Sequence, residues 1–412
     1  MAVFGNARSV AAVIRGGTEP RRYENWADGG TEPAATRTGR MAGRSRAATR
    51  IDRMAGRSRA ATRLTQGIQV MVDEITSIEQ LEEMISEPSE GVVEALGRLD
   101  GDIIVLGSGG KMGPSLARMA KRASDAAGLL RRVIGVDVFP SGEQEMKLRA
   151  ARVEPIRCDL MDPAELESLP DAPNVVFMVG MKFGVTGQEA LTWAINAFLP
   201  GLVCRKYRNS RIAAFSTGNI YGMVPVQSGG SVETDPPNPS GEYATSALGR
   251  ERVFEHFSRS MSIPASIIRL NYSNEMRYGV LVDIAQKVWA GEPVDVTMGS
   301  ANVIWQADAN AMALQSLERA ASPPFVVNVV GPETISIRRV AEQFAGLMGC
   351  KATITGTESP DAFLSNGRLG YGLFGRPRVS VQQMIEWIAK WVVRGGESLG
   401  KPTHFETRDG RF

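Results

Sequence analysis

Three glycines at regular spacing follow an apolar run and precede a helical pattern. The stretch IIVLGSGGKMG places Gly107, Gly110 and Gly113 three residues apart. Gly107 would allow a tight turn, Gly110 would let the backbone approach a pyrophosphate with no Cβ in the way, and Gly113 would let the helix pack closely. Because backbone N–H groups at a helix N-terminus bind phosphate, the order of strand, turn and helix predicts a dinucleotide site.

A carboxylate at the end of the next apolar run strengthens this prediction. The run RRVIGVD ends in Asp137, twenty-four positions after Gly113, where a carboxylate would accept hydrogen bonds from an adenosine ribose. The glycine spacing is G-x-x-G-x-x-G rather than G-x-G-x-x-G, so the prediction of NAD depends on this context. A solvated Asp at the end of a strand is the alternative interpretation. No Arg closely follows Asp137, which favours NAD over NADP.

Composition excludes several classes of protein. The chain has 412 residues, of which 43% are hydrophobic and 22% charged, and no apolar run reaches 18 residues, so we expect a cytoplasmic protein without a membrane span. Three widely spaced cysteines and two histidines argue against a disulfide framework and against a histidine-rich metal site. Residues 1–70 hold thirteen of the 47 basic and five of the 45 acidic residues, which leaves the remainder with a net charge of −6. We therefore expect no nucleic-acid partner.

The Arg-rich segment 1–70 repeats itself. RMAGRSRAATR occurs at residues 40–50 and again at residues 53–63. The segment lacks apolar periodicity, which predicts disorder, and Met71 is the expected natural beginning of the chain. A transit peptide is the alternative, but the five acidic residues argue against it. Residues 71–100 are expected to form a helical prefix that opens with a capping box from Thr76 to Glu79.

Apolar runs and helical patterns alternate from Ile103 onward. Parallel strands buried on both faces give this alternation, so the sequence predicts an α/β fold, a Rossmann-type doubly wound parallel sheet, over residues 101–271. After Asn271 the alternation weakens, and residues 272–412 are expected to form mostly a smaller α+β substrate-binding lobe that includes the apolar run FVVNVV. In this lobe Trp305, Trp387 and Trp391 are expected in the core, and Asp308 is expected to cap a helix.

Further motifs lie at the ends of later strands. STGNIYG spans Ser216 to Gly222, YATSA in the next helical pattern spans Tyr243 to Ala247, and RLNY spans Arg269 to Tyr272. Together with the glycine turn, they make the sequence similar to the extended short-chain dehydrogenase/reductases, the NAD-dependent epimerase/dehydratase family. The resemblance covers roughly residues 103–391.

The resemblance assigns roles to individual residues. It implies that the hydroxyl of Thr217 binds the reacting oxygen, that Tyr243 is the acid/base, and that Asp159 faces adenine. The expected cofactor-binding residues are Gly107, Gly110, Lys111, Met112, Gly113, Asp137, Asp159, Leu160, Val179 and Gly180, and the expected substrate-binding residues are Asn196 and Asn271. The alternatives are a Thr217 that only ends a strand, a Tyr243 that only packs on the cofactor and an Asn271 that only caps a turn.

One departure from the family pattern concerns the acid/base. The family's Lys, four residues after the Tyr, is Ala247 here. A Lys at that spacing shares a helix face with the Tyr and lowers the pKa of its phenol, so Tyr243 should stay protonated near neutrality. Arg250 lies too far along the helix to be assumed as a replacement. Lys182, in the loop after the fourth strand, is the expected catalytic cation, with a solvated or phosphate-facing lysine as the alternative.

These residues predict an NAD-dependent enzyme that acts on a small molecule. The resemblance implies oxidation, epimerisation or dehydration at a hydroxyl of a sugar or nucleotide sugar. A protein that kept the fold and binds NAD as a sensor or scaffold without catalysis is the competing hypothesis. Dimers through a pair of helices are common in the family, so a homodimer is the expected assembly.

Overall fold

The computed structural model describes residues 73–182 and 187–410, and the described residues from Glu74 onward form one compact unit. Residues 1–70, for which the sequence predicts disorder, and the loop residues 183–186 lie outside the described residues. The helices of the described part are α1 (Ile78–Ile85), α2 (Glu90–Gly97), α3 (Gly113–Ala126), α4 (Gly142–Ala150), α5 (Pro163–Ser168), α6 (Glu189–Trp193), α7 (Leu199–Lys206), α8 (Gly241–Met261), α9 (Val280–Ala290), α10 (Gln306–Ser316), α11 (Ile337–Met348), α12 (Arg368–Phe374) and α13 (Val381–Val393).

The strands of the described part are β1 (Ile103–Leu106), β2 (Val133–Asp137), β3 (Glu154–Arg157), β4 (Asn174–Phe177), β5 (Arg211–Thr217), β6 (Val224–Pro225), β7 (Ala265–Leu270), β8 (Ser273–Asn274), β9 (Pro293–Asp295), β10 (Ser300–Ala301), β11 (Ile304–Trp305), β12 (Phe325–Val329), β13 (Ile335–Ser336), β14 (Thr353–Thr355) and β15 (Asp361–Ala362). A π-helical turn, Ala194–Phe198, joins α6 to α7.

Seven of these strands form one parallel sheet. Its order is β12-β7-β5-β4-β1-β2-β3, with Leu106 of β1 level with Val136 of β2 and Phe177 of β4. From β1 the chain adds strands first on one side and then, beginning with β4, on the other. This reversal opens a crevice at the carboxyl ends of β1 and β4, where ligands bind in doubly wound sheets. The predicted Rossmann-type fold is confirmed.

The sheet is buried because helices cover both faces. All four residues of β1 are fully buried, as expected for a central parallel strand. On one face Leu106 and Phe177 pack with Val203 of α7 and Phe254 of α8. Helix α3 packs near β1 and β2, and α10 and α2 pack against α3. The helical prefix is therefore part of the layer that covers the sheet.

The prefix begins one residue later than predicted. The N-cap of α1 is Ser77, whose side chain accepts a hydrogen bond from Gln80 N, and Gln80 Oε1 accepts one from Thr76 N at 2.7 Å. The reciprocal bonds of a capping box are thus shared between Thr76 and Ser77. The prediction that paired Thr76 with Glu79 placed the cap one residue too early.

The lobe after Asn271 is not separate from the sheet. The run FVVNVV, expected in the smaller lobe, supplies β12, which pairs along β7 as the edge strand of the main sheet. Helices α9, α11 and α13 pack together beyond the sheet. Here Trp305, Trp387 and Trp391 are 2%, 4% and 3% exposed, which confirms them as core residues.

Asp308 does not cap α10. Trp305 is the N-cap of that helix, and Asp308 lies in its first turn. The Asp308 carboxylate accepts hydrogen bonds from the backbone N–H groups of Arg378 and Val379, and it forms an ion pair with the Arg378 guanidinium. Its function is to hold the segment that precedes α13.

The C-terminal segment, residues 397–410, returns from the end of α13 to the carboxyl edge of the sheet. Thr403 N and Oγ1 donate hydrogen bonds to Asp283 Oδ2 in α9, at 2.8 and 2.6 Å. At its end, Gly410 packs so tightly against Gly241, the first residue of α8, that a Cβ on Gly241 would lie 2.3 Å from Gly410 O. The segment therefore covers the N-terminus of the helix that carries Tyr243.

Candidate active site

The three regularly spaced glycines of the turn, Gly107, Gly110 and Gly113, have three different requirements. Gly107 has φ +89°, and a Cβ there would lie 2.9 Å from Val179 N of the β4 loop. A Cβ on Gly113 would lie 2.6 Å from the backbone of Ser108, so α3 approaches the turn as closely as the chain allows. At Gly110 the nearest atom to a Cβ would be Gly107 O at 3.4 Å. The face of Gly110 is therefore open to a ligand.

The start of α3 fits a pyrophosphate. The helix has fourteen residues and begins at Gly113, and its N-cap Met112 makes no side-chain capping bond. The first N–H groups of a helix have no intrahelical acceptors, and they attract anions. At the neighbouring strand end, Asp137 Oδ2 accepts a hydrogen bond from Gly109 N at 2.9 Å. This bond fixes the carboxylate beside the turn, where a ribose diol would lie.

A cavity of about 260 Å³ opens between the glycine turn and the substrate side of the crevice. Three basic side chains line it, those of Lys111, Lys182 and Arg250, and no carboxylate of the described residues does. Its remaining walls are formed by Gly107, Gly110, Met112, Gly113, Met178, Gly180, Phe215, Ser216, Thr217, Asn219, Tyr243, Leu270, Asn271, Tyr272, Ser273, Tyr278, Gly279, Val280 and Thr403. The cavity is therefore electropositive and suits an anionic ligand.

Tyr243 and Thr217 meet in this cavity. Thr217 is the last residue of β5, and Tyr243 lies in the first turn of α8. Burial raises the pKa of Tyr243, whereas the positive charge of Arg250 and a hydrogen bond with Thr217 oppose that rise. The positive end of the α8 dipole also favours a phenolate at this position. The arrangement gives a hydroxyl that can bind an oxygen next to a phenol that can exchange its proton.

Arg250 lies close enough to Tyr243 for its positive charge to act on the phenol, a role that the sequence did not predict. Its guanidinium donates to Phe215 O at 2.9 Å and to Asn196 Oδ1 at 2.6 Å. A Cβ on Gly180 would lie 2.6 Å from Arg250 Nη2, so the glycine leaves the room that the guanidinium occupies. Arg250 lies two helical turns after Tyr243 and therefore on nearly the same face of α8. This spacing is the feature of the sequence that could have predicted its position near Tyr243.

Asn196 lies behind the cavity rather than in it. It is fully buried in the π-helical turn, where its side chain accepts from Met181 N and donates to Met181 O, both at 2.9 Å. Its amide also donates to Ser246 Oγ of α8. Asn196 does not line the cavity, so the substrate contact predicted for it stays a prediction. Its side chain fixes the loop after β4 and the guanidinium of Arg250.

Lys182 and Lys111 enter the cavity from two different loops. Lys182 Nζ lies 5.9 Å from the ring centroid of Tyr243 and 3.4 Å from Thr403 O. Desolvation lowers its pKa to about 8, partly offset by the charge of Asp283. Lys111 Nζ donates to Ser273 O at 3.0 Å, and desolvation lowers its pKa to about 7. Both amines therefore titrate closer to neutrality than an exposed lysine.

Ala247 is fully buried where the family carries its lysine. It packs with Ile220 and Tyr221 of the turn after β5. The cations near Tyr243 come instead from Arg250 on the same helix and from Lys182 in the β4 loop. Two cations therefore lie near Tyr243, and neither occupies the position of the family's lysine.

The remaining predicted site residues divide into two groups. Asn271 lines the cavity, and its side chain donates to Asn302 Oδ1 at 2.6 Å. Val179 lies behind Gly107 and packs against the core. Asp159 is exposed after β3 and accepts from Met161 N, whereas Leu160 is buried in the core. Neither lines the cavity, so the adenine contact predicted for Asp159 and the cofactor contact predicted for Leu160 stay predictions.

A buried ion pair links two of the elements that carry cavity residues, β7 and α8. Arg269 of β7 donates to Glu251 Oε2 of α8 at 2.8 Å, and both side chains are at most 8% exposed. Ser216 of β5 donates to the same carboxylate at 2.5 Å, and Arg269 also donates to Tyr221 Oη at 2.6 Å. Tyr221 in turn donates to Asn328 of β12. These bonds connect β5, the strand that ends in Thr217, with α8, β7 and β12.

Comparison with known proteins agrees with this geometry. Residues 103–281 match the family model described as NAD dependent epimerase/dehydratase family. This part of the chain is similar to that family. The family is one of NAD-dependent enzymes, and the glycine turn, Asp137 and the Tyr243–Thr217 pair all lie within the matched residues. Among curated proteins, no match to the sequence was found.

Several solved structures share the fold. UDP-glucuronic acid 4-epimerase from Bacillus cereus, in complex with NAD, is 18% identical, with a TM-score of 0.61 over 72% of this chain and 99% of that chain. dTDP-glucose 4,6-dehydratase from Bacillus anthracis, also with NAD, is 14% identical, with a TM-score of 0.61 over 72% and 97%. UDP-glucose 4-epimerase from Thermotoga maritima is 17% identical, with a TM-score of 0.60 over 71% and 99%.

No helix of the described residues is long and apolar enough to cross a membrane. The same residues contain no group of three or more His, Cys, Asp or Glu side chains placed to hold a metal ion.

Proposed function

We propose that the protein uses NAD to oxidise, epimerise or dehydrate a sugar or nucleotide sugar at a carbon that bears a hydroxyl group. The family match supports the NAD dependence, and the electropositive cavity suits a ligand with phosphate groups. The similar structures include enzymes whose ligands are UDP-glucuronic acid and UDP-glucose. The observation that carries the proposal is the pairing of Tyr243 and Thr217 in a cavity that the open face of Gly110 also lines.

The chemistry divides between the cofactor and the chain. NAD, when bound, would supply the acceptor for the hydride that leaves the reacting carbon. Thr217 binds the oxygen of the substrate hydroxyl, and Tyr243 as phenolate removes its proton. Arg250 stabilises the phenolate from a fixed position because its guanidinium is held by Phe215 O and Asn196. Lys182 adds a second positive charge near the Tyr243 ring.

The pH dependence follows from these groups. Because the pKa of Tyr243 is raised, turnover should increase as the pH rises from neutral into the alkaline range. Lys182, with a pKa of about 8, loses its charge over the same range, which opposes the increase. We therefore expect a broad alkaline optimum rather than one at pH 7. Lys182→Met should move the rising limb to higher pH, because Tyr243 loses a neighbouring charge.

A catalytically silent NAD-binding sensor or scaffold is the second candidate. Its supporting observation is Ala247, since a fully buried alanine replaces the residue that would hold both the cofactor ribose and the phenol. This candidate predicts NAD binding without turnover on any sugar.

The test uses Tyr243→Phe and, as a matched control, Tyr371→Phe. Tyr371 donates its hydroxyl to Val330 O and does not line the cavity. UDP- and dTDP-sugars are incubated with the protein and NAD, reduced cofactor is followed by absorbance, and products are separated by chromatography. We expect wild-type turnover, a loss of about 100-fold or more in Tyr243→Phe with NAD affinity preserved, and no such loss in the control. Unchanged turnover in Tyr243→Phe would refute the role of Tyr243. NAD binding with no turnover in the wild type would favour the sensor.

A further inference from the structure

Lys111 belongs to the glycine turn, but its side chain crosses to the opposite wall of the cavity. The residue lies between Gly110 and Gly113, and its ammonium reaches Ser273 O of β8. The same ammonium lies 4.4 Å from the ring centroid of Tyr278, which precedes α9. One side chain thus joins the wall that fits the dinucleotide to the wall on the substrate side.

The charge of Lys111 has no carboxylate partner. Within the described residues, no Asp or Glu oxygen lies within 4.0 Å of its Nζ. The acidic group whose charge acts on it is Glu275, which is already paired with Arg277. A desolvated ammonium with one carbonyl acceptor and a ring face is costly to bury, and a bound anion would offset that cost.

A second unused donor lies at the same place. Ser273 is 8% exposed and lines the cavity, and its Oγ has no hydrogen-bond partner among the described residues. Buried hydroxyls are nearly always hydrogen-bonded, so an unpartnered one that lines a cavity is available to bind a polar ligand atom. The carbonyl of Ser273 holds the Lys111 ammonium, which brings an amine and a hydroxyl to one spot.

We propose that Lys111 and Ser273 form a binding site for a phosphate group at the junction of the cofactor and substrate sides of the cavity. This inference rests on the proposed function for the source of the phosphate. One source is the pyrophosphate of NAD, since Lys111 is part of the turn that would hold it. The other source is the diphosphate of a nucleotide sugar, since the ammonium points toward β8. The recognition chemistry, a charge-assisted bond to a phosphoryl oxygen, is the same for both.

The experiment compares Lys111→Met, Lys111→Arg and Ser273→Ala with the wild type. Lys121→Met is the matched control, because Lys121 lies on α3 outside the cavity and is paired with Asp125. Calorimetry measures the affinity for NAD, for UDP in the presence of NAD, and for inorganic pyrophosphate alone. We expect Lys111→Met to weaken at least one of these by about 10- to 100-fold, Ser273→Ala to weaken it less, and the control to stay within about twofold.

The pH dependence provides a second readout. Affinity for the phosphate ligand in the wild type should fall as the pH rises above the pKa of the Lys111 amine. That fall begins above pH 7, because a bound anion raises the pKa of the amine. Lys111→Arg should bind with little pH dependence, because a guanidinium stays charged. A melting curve for each variant shows that it is folded.

The outcomes separate the two sources and the two proposals. A loss confined to NAD assigns the phosphate to the cofactor, and a loss confined to UDP assigns it to the substrate. Wild-type affinity for all three ligands in folded Lys111→Met would overturn the phosphate site and leave the proposed function untouched. If the wild type binds pyrophosphate through Lys111 but does not bind NAD, the site stands and the proposed function fails.

Discussion

Lys111 should make the ligand-free protein less stable than a variant with an apolar side chain. In the folded state its pKa is about 7, against 10.5 for an ordinary lysine. That difference corresponds to about 5 kcal/mol, at 1.36 kcal/mol per pKa unit. The gain in stability should be smaller than this, because the Lys111 side chain keeps some contact with the cavity and because Lys111→Met also loses the hydrogen bond to Ser273 O. We therefore expect a net gain of about 2 to 3 kcal/mol. The free energy of unfolding of Lys111→Met should exceed that of the wild type by this amount at pH 6.5.

The gain should depend on pH in a defined direction. Between pH 7 and 10.5 the unfolded chain binds a proton on Lys111 that the folded chain does not, so wild-type stability rises with pH in this window. The advantage of Lys111→Met should therefore shrink by about 2 to 3 kcal/mol between pH 6.5 and 9.5. Urea unfolding of ligand-free wild type, Lys111→Met and Lys111→Arg at both values measures it. A destabilised Lys111→Met at pH 6.5, or an advantage that does not change with pH, would refute the reasoning.

Three further predictions concern the turn, the cofactor and the buried pair. Gly110→Val should fold with nearly wild-type melting but lose NAD binding in calorimetry, whereas Gly113→Ala should lower the melting temperature, because its Cβ would meet the Ser108 backbone. NAD should bind at least about tenfold more tightly than NADP, because Asp137 repels a 2′-phosphate; equal affinities would contradict this. Arg269→Met should lower the free energy of unfolding by about 3 to 5 kcal/mol in urea titration, because it leaves the Glu251 carboxylate buried without its counter-ion.

The sequence predicted the local parts of the site well. The turn at Gly107, the close packing at Gly113 and the position of Asp137 beside the turn follow from residue types within one strand–turn–helix unit. Thr217 and Tyr243 could also be placed, because strand ends and the first turn of the next helix meet at the same edge of a parallel sheet. These features depend on short stretches of chain whose geometry is nearly fixed.

The features that were missed depend on distant partners. The apolar run that forms β12 would have the same sequence pattern as an edge strand of a large sheet or as a strand of a small lobe. Only its pairing with β7 distinguishes these two placements. Arg250 faces inward because Phe215 O and Asn196 accept its bonds, and neither is near it in sequence. Asn196 lies in a π-helical turn, where its side chain contacts Met181 in the loop after β4.

The C-terminal segment also affects the order in which the site can form during synthesis. The glycine turn, β5 and the start of α8 leave the ribosome long before Thr403, which lines the cavity, and Gly410, which packs on Gly241. Domains tend to fold from the N-terminus as they emerge. A nascent chain that has built the sheet up to β7 therefore still exposes the Lys182 side of the cavity to solvent. Completion of the cavity must wait until Thr403 and Gly410 have emerged from the ribosome.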